Sequence, residues 1–160
     1  MGVSPAHIRP LQQGEHSLLA DFLYEAIFVP PGDTPPPRSI ISAPELQVYI
    51  EGFGRRHDYA FAAEMAGVVV GLAWARIMRD YGHVDAATPS LALAVMQPHR
   101  GQGIGAALLG SLLTALAEAG YAQASLSVQR ANPARRLYTR MGFIPYREAG
   151  EELIMLKELR

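Results

Sequence analysis

LALAVMQPHRGQGIGAALLGSLLTALAEAG, from Leu91 to Gly120, is the most ordered pattern in the chain and reads as strand, turn and helix. Leu91, Leu93 and Val95 alternate with alanines as in a buried strand, and Pro98 stops the ladder because it has no N–H to donate. From Ile104 a helical period takes over. Ile104, Leu108, Leu112 and Leu116 recur every four residues with Leu109 and Leu113 beside them, and Gly120 supplies the left-handed residue that ends the helix. Between the two lie Arg100, Gly101, Gln102, Gly103, Ile104 and Gly105. Missing side chains there let a ligand lie directly on backbone N–H groups at the helix start, a geometry suited to a phosphate or pyrophosphate.

Three phosphate-binding patterns compete for this turn. A P-loop needs Lys followed by Ser or Thr after its last glycine, whereas Ala106 and Ala107 stand here. A dinucleotide fingerprint is formally met by Gly101, Gly103 and Ala106, but five residues, Met96 to Arg100, separate it from the strand. The next strand, around Ala124 to Val128, ends in Gln129-Arg130 with no carboxylate for a ribose hydroxyl. An NADP-type oxidoreductase is therefore the alternative reading. The third pattern, R-x-x-G-x-G, is met by Arg100, Gly103 and Gly105.

A second block, ASLSVQRANPARRLYTRMGF, runs from Ala124 to Phe143. Asn132 is a preferred N-cap, Pro133 suits the first helical position and Gly142 follows Met141 as a helix terminator, so a short helix is predicted over 133–141. Ala134, Leu137, Tyr138 and Met141 share one face, which turns Tyr138 inward. On the residues alone, Tyr138 reads as a core tyrosine with a hydrogen-bonded hydroxyl.

These two blocks, in this order and spacing, resemble the GNAT superfamily of N-acetyltransferases, and the upstream element order extends the resemblance over essentially the whole chain. It implies an α/β single-domain fold with a central mixed, mostly antiparallel sheet of about seven strands flanked by about four helices. It also implies acetyl-CoA as co-substrate, without a metal. The backbone of Leu93 and Val95 then holds the pantetheine arm, Arg100, Gly101, Gln102, Gly103, Ile104, Gly105 and Ala106 hold the pyrophosphate, and Asn132 and Arg135 border the cofactor. Tyr138 becomes the acid that protonates the departing thiolate. A homodimer is a further expectation, and a non-catalytic acyl-CoA-binding module is a further alternative.

The 160 residues, 49% apolar and 18% charged, fit one domain over 1–160 with a proper core. A net charge of −1 makes no electrostatic case for nucleic acid or an anionic membrane. There is no cysteine, hence no disulfide and no thiol nucleophile, and MGVSPAHIRP lacks the apolar centre of a signal peptide, so a cytoplasmic protein is expected. Met1-Gly2 suggests myristoylation, but Ala6 stands where that motif wants Ser or Thr. Histidines 7, 16, 57, 83 and 99 show no metal spacing, and no G-x-S-x-G occurs.

Along the remaining chain, a strand is predicted over 7–11, a helix over 15–28, and a second helix from Pro44 to about Phe53, ended by Gly54. Val29 to Arg38, with five prolines, is a semi-rigid loop, either spacer or substrate-facing. Strands over 59–65 and 68–78 form a hairpin at Ala66-Gly67, with Gly71 allowing a bend, and strands over 143–147 and 152–158 turn at Ala149-Gly150. Transfer to an amine without a nucleophilic residue implies direct attack in a ternary complex. The central strand carries no glutamate, which leaves His83, Asp85, Glu45, Glu64 or water as the base. The amine acceptor is not legible, because acceptor loops vary on a fixed scaffold.

Overall fold

In a computed structural model, residues 6–160 are described, so the Met1-Gly2 reading lies outside the described residues. Seven strands form one sheet: β1 (His7–Pro10), β2 (Tyr59–Met65), β3 (Val68–Arg76), β4 (Ser90–Val95), β5 (Gln123–Gln129), β6 (Ile144–Ala149) and β7 (Glu152–Glu158). Their order is β1-β2-β3-β4-β5-β7-β6, antiparallel throughout except for β4 beside β5. Four α-helices flank it: α1 (Leu18–Ala26), α2 (Pro44–Gln47), α3 (Ile104–Glu118) and α4 (Arg135–Arg140). The mixed seven-stranded sheet and its four helices agree with the expected fold.

Two cores form because the sheet is apolar on both faces. On one, Ile104, Leu108, Leu109, Leu112, Leu113 and Leu116 of α3 pack on Leu91, Ala124, Leu126 and Val128. On the other, Leu19, Phe22 and Leu23 of α1 pack on Leu72, Trp74 and Ala94. Gly71 is what lets α3 lie this close. A Cβ there would meet Leu108 Cδ1 at 2.9 Å and the Ala94 carbonyl oxygen at 3.4 Å. The expected bend near Gly71 appears as a register shift beside its partner Ala63.

Local differences from the predicted elements have identifiable causes. The helix predicted over 15–28 is a 3-10 turn, Gln13–Glu15, followed by α1. Glu15 is held away from helical pairing: its carboxylate accepts from the Gln12 N–H at 2.9 Å and from both terminal nitrogens of Arg9 at 2.8 Å. The helix predicted from Pro44 to Phe53 stops at Gln47. Its later carbonyls go elsewhere, Val48 and Glu51 accepting from Arg76 Nη1 at 3.2 and 2.8 Å and Tyr49 from Trp74 Nε1 at 3.0 Å. Arg76, buried with Asp58 in an ion pair, needs those acceptors because an unsatisfied buried cation is costly. The proline-rich loop continues into a 3-10 turn over Arg38–Ser42, and β3 ends at Arg76 rather than residue 78.

Arg9 ties β1 to that first turn through Glu15 and to β2 through Glu64, and Arg9 first and the Gln12 N–H second hold the Glu15 carboxyl down at about 2. A depressed folded-state pKa stabilises above the unfolded value near 4.5 and is lost as pH falls through the folded one. The melting temperature is therefore expected to drop between about pH 4.5 and 2. Arg9→Ala should cost about 1 kcal/mol at pH 7, roughly 2–4 °C for a chain of this length, and flatten the Glu15 part of that acid limb. Calorimetry over this range checks both. No helix among the described residues is long and apolar enough to cross a membrane.

Candidate active site

The site is built where the sheet fails to close. β4 and β5 are paired at a single position, Ser90 with Ser125, although both strands run on well beyond it. The Met96 N–H bonds to the Val70 carbonyl at 2.8 Å, so alternate residues of β4, namely Ala94, Ala92 and Ser90, share hydrogen bonds with β3. The backbone groups of Leu93 and Val95 consequently face β5 across the open stretch. Strand backbone without a ladder partner is a place for a ligand to be hydrogen-bonded.

At the far end of β4 the chain turns into α3. Gly101 and Gly103 hold φ of +77° and +82°, and a Cβ at either would meet nothing within 4 Å, so these positions need glycine for backbone shape and border free space. The first turn-closing bond of α3 runs from Ala107 N–H to the Gly103 carbonyl at 3.1 Å. That leaves the amides of Ile104, Gly105 and Ala106 at the positive end of a 15-residue helix with no acidic residue in its first turn. The Ile104 side chain is core, so only its N–H is available. Gly105 is different. A Cβ there would lie 3.3 Å from Leu137 Cδ2 and 3.6 Å from Leu93 Cδ2, so β4, α3 and α4 meet at this one residue.

Arg100 does not point into the turn. Its Nε donates to the Val95 carbonyl at 2.8 Å and its Nη2 to Glu25 at 3.2 Å, so the guanidinium secures the end of β4 while its backbone stays in the loop. Asn132 caps as its residue type predicts, its Oδ1 accepting the Ala134 N–H at 2.9 Å, although regular helix begins only at the exposed Arg135. Tyr138 is half-buried, edge-on to Phe143 with ring centroids 6.1 Å apart. Burial alone pushes its hydroxyl up to about 12; the hydrogen bond expected of a core tyrosine is not found among the described residues.

Of the bases considered from sequence, three are engaged or remote. Glu64 is bound to Arg9 on β2, with β3 between it and β4. Asp85 accepts from the Ala87 N–H and Thr88 hydroxyl, and these bonds lower its pKa, as suits a turn cap. Glu45 is exposed in the first turn of α2. His83 is half-buried, with Nδ1 2.8 Å from the Met78 carbonyl. Sequence reasoning missed Asp80 in the same loop: Ser90 Oγ lies 2.7 Å from both its carboxylate oxygens, and burial raises its pKa. Surface hollows of about 330 and 350 Å³ lie elsewhere, neither lined by any residue of β4, β5 or the glycine turn. No cluster of three or more metal-ligating side chains occurs among the described residues.

Residues 22–143 match the sequence model of the acetyltransferase (GNAT) family, most of the chain and both blocks included. The chain belongs to the GNAT family of acetyltransferases. Solved GNAT structures share its fold at low identity. The PaiA N-acetyltransferase from Thermoplasma acidophilum, solved with coenzyme A, superposes with a TM-score of 0.70 at 17% identity, covering 96% of this chain and 98% of that one. An N-acetyltransferase from Staphylococcus aureus Mu50 gives 0.71 at 20%, covering 98% and 100%. The ribosomal-protein-S18-alanine N-acetyltransferase from Escherichia coli gives 0.65 at 19%, covering 96% and 94%. No curated protein matches the chain in sequence. The dinucleotide alternative loses its frame, because that motif belongs to a mostly parallel sheet and this GNAT sheet has one parallel neighbour pair.

Proposed function

We propose that this acetyltransferase, one domain over residues 1–160, moves an acetyl group from acetyl-CoA directly to a primary amine in a ternary complex. One observation carries the reading: the backbone of Leu93 and the Val95 N–H, without a strand partner across the opening, lead straight to the free amides of Ile104, Gly105 and Ala106. The residues present fit the co-substrate. An extended amide-containing arm matches strand backbone, and a pyrophosphate matches amides at a helix start with open space over Gly101 and Gly103. In this reading Asn132 and Arg135, at the head of α4, border the cofactor.

Acetyl-CoA supplies the activated thioester. The chain's part is to align it: Leu93 orients the carbonyl for attack, and the absence of cysteine and of a serine triad favours attack by the amine itself. Tyr138, protonated at every physiological pH, donates to the sulfur as it departs. Homodimer assembly is part of this reading, through β6, the edge strand exposed at every residue.

Acetyl-CoA and CoA at about 100 times their dissociation constant should stabilise the protein by about 2.7 kcal/mol, roughly 5–10 °C in melting temperature, while NAD and NADP give no shift. A shift with NADP alone rules this function out. An amine panel read by CoA release then identifies the acceptor; with no cysteine in the chain, a thiol reagent reports only released CoA.

A further inference from the structure

Asp58 and Asp80 are both drawn into the protein from loops, yet only one has a cation. Asp58 is paired with Arg76, Oδ2 to Nη2 at 3.0 Å and Oδ1 to Nε at 3.1 Å. Asp80 accepts from the Ser90 hydroxyl at 2.7 Å, with the Tyr49 hydroxyl and the Gly82 N–H close by, and has no ion-pair partner among the described residues. Burying a carboxylate without a cation costs stability. A loop anchor does not need one, since a neutral side chain could accept from Ser90 equally well.

Its position is informative. Ser90 is the residue that closes β4 onto β5, so Asp80 sits at the shut end of the open stretch. The Tyr49 ring is buried, and its hydroxyl lies close to both Asp80 and Ser127. Ser127 lies two residues past the Ser90–Ser125 pair, level with Ala92 and about 6–7 Å along the strands toward Leu93. Ser90, Ala92 and Ala94 alternate with Leu91 and Leu93, which pack against α3, so this polar line runs along the opposite face, the one covered by α1 and the segment after α2. The Glu152 charge on β7 also acts on that tyrosine; the cation of Arg147 is bonded to the His83 carbonyl of this loop at 3.0 Å, and none is ion-paired with Asp80 among the described residues. Burial also raises the Glu152 carboxyl.

We propose that Asp80 is the terminal proton acceptor for the incoming amine, reached through the Tyr49 hydroxyl, and that the acceptor enters as a cationic primary ammonium between this line and the thioester. The inference rests on the acetyltransferase reading above. One N–H bond of the ammonium breaks and its proton goes to Tyr49 Oη, while the Tyr49 proton moves to Asp80 Oδ. The neutral amine's lone pair then forms the C–N bond at the thioester carbonyl carbon, and the C–S bond breaks. Sulfur takes the Tyr138 proton, Tyr138 recovers one from the nitrogen, and the Asp80 proton passes to solvent.

The test uses the full-length protein, Asp80→Asn and Tyr49→Phe, with CoA release measured from pH 5.5 to 10 on 2-phenylethylamine and on hydroxylamine, which is largely unprotonated at neutral pH. The parent rate should rise with pH through the Asp80 ionisation, because the base works only when deprotonated. Asp80→Asn should lower kcat for phenylethylamine about 10²-fold at pH 7 and move the rising limb up to the amine's own ionisation, near the ~10.4 of a lysine, with far less loss on hydroxylamine. Tyr49→Phe should shift the limb in the same direction. Two readouts need no ligand. By 13C NMR the Asp80 carboxyl should titrate above the ordinary ~3.9, and higher again in Tyr49→Phe, which removes a donor to the ionised form. The melting temperature of Asp80→Asn at pH 7.5 should not fall: a raised folded-state pKa means its stabilisation is lost as pH rises through that value. An unchanged pH limb and kcat in Asp80→Asn overturns the proposal, as does a several-degree loss of melting temperature with equal loss on both amines, which marks a loop anchor. If the parent shows no thermal shift with acetyl-CoA, the transferase reading fails instead, whatever Asp80 titrates at.

Discussion

Tyr138→Phe is expected to lower kcat about 10²-fold while leaving acetyl-CoA affinity unchanged, because the ring that packs against Phe143 stays and only the hydroxyl goes. The magnitude follows from the environment. A phenol held at about 12 lies roughly 3.5 units above an ordinary thiol at ~8.5, so full proton transfer to a settled thiolate is uphill by about 5 kcal/mol. The proton therefore crosses only as the amine nitrogen returns one to the phenol, and the benefit is a hydrogen bond to sulfur as charge develops. A bond to a charged group is worth about 1.5–3 kcal/mol, or some 10- to 150-fold. A pH consequence accompanies this: Tyr138 should produce no falling limb in kcat below about pH 11. The competing core-tyrosine account predicts instead about 1 kcal/mol of lost stability with turnover intact. Melting temperature and kcat on this one variant separate the two accounts, given an assay in which chemistry limits the parent rate.

Two substitutions in the glycine turn should have comparably large but distinguishable effects. Gly103→Val places a β-branched residue at φ +82° and fills the free space over the amides; it should weaken CoA binding by about 10²-fold, the loss of one or two charge-assisted bonds, beside a strain cost of about 1–2 kcal/mol. Gly105→Val has ordinary helical backbone but drives Cβ and its methyls into Leu137 and Leu93. Overpacking there costs about 1–3 kcal/mol and displaces α4, the element carrying Tyr138, so kcat should fall together with affinity. Calorimetric CoA binding with steady-state rates checks the contrast. Unchanged CoA affinity in a folded Gly103→Val rules out the phosphate role of the turn.

How much of this was legible in the residues depends on how local each cause is. The strand and helix periods of Leu91 to Gly120, the hairpin at Ala66-Gly67 and the partly buried inward face of α4 with Tyr138 and Met141 depend on neighbours within a few residues, and each appears where it was expected. Arg100 shows the limit of a motif read from spacing. Its place in the turn follows from spacing, whereas its side chain is directed by Glu25, 75 residues away. The premature end of α2 is a second case, since apolar periodicity ran on to Phe53 while Arg76 and Trp74, from a strand not yet made, claimed the carbonyls.

Asp80 is the clearest instance of a residue invisible in sequence. Between Arg79 and Tyr81 it looks like any solvated loop carboxylate, and its chemistry comes from Ser90 and Tyr49. Sequence alone determined the family, the element order and the glycine turn, because these are written in spacing and in backbone requirements that each residue carries with it. Tertiary structure alone decided that β4 and β5 part after Ser90, which backbone groups face the opening, and which carboxylate is drawn in from a loop without an ion-pair partner. Those are properties of surfaces brought together from distant parts of the chain, where desolvation and pairing, rather than residue type, set the chemistry.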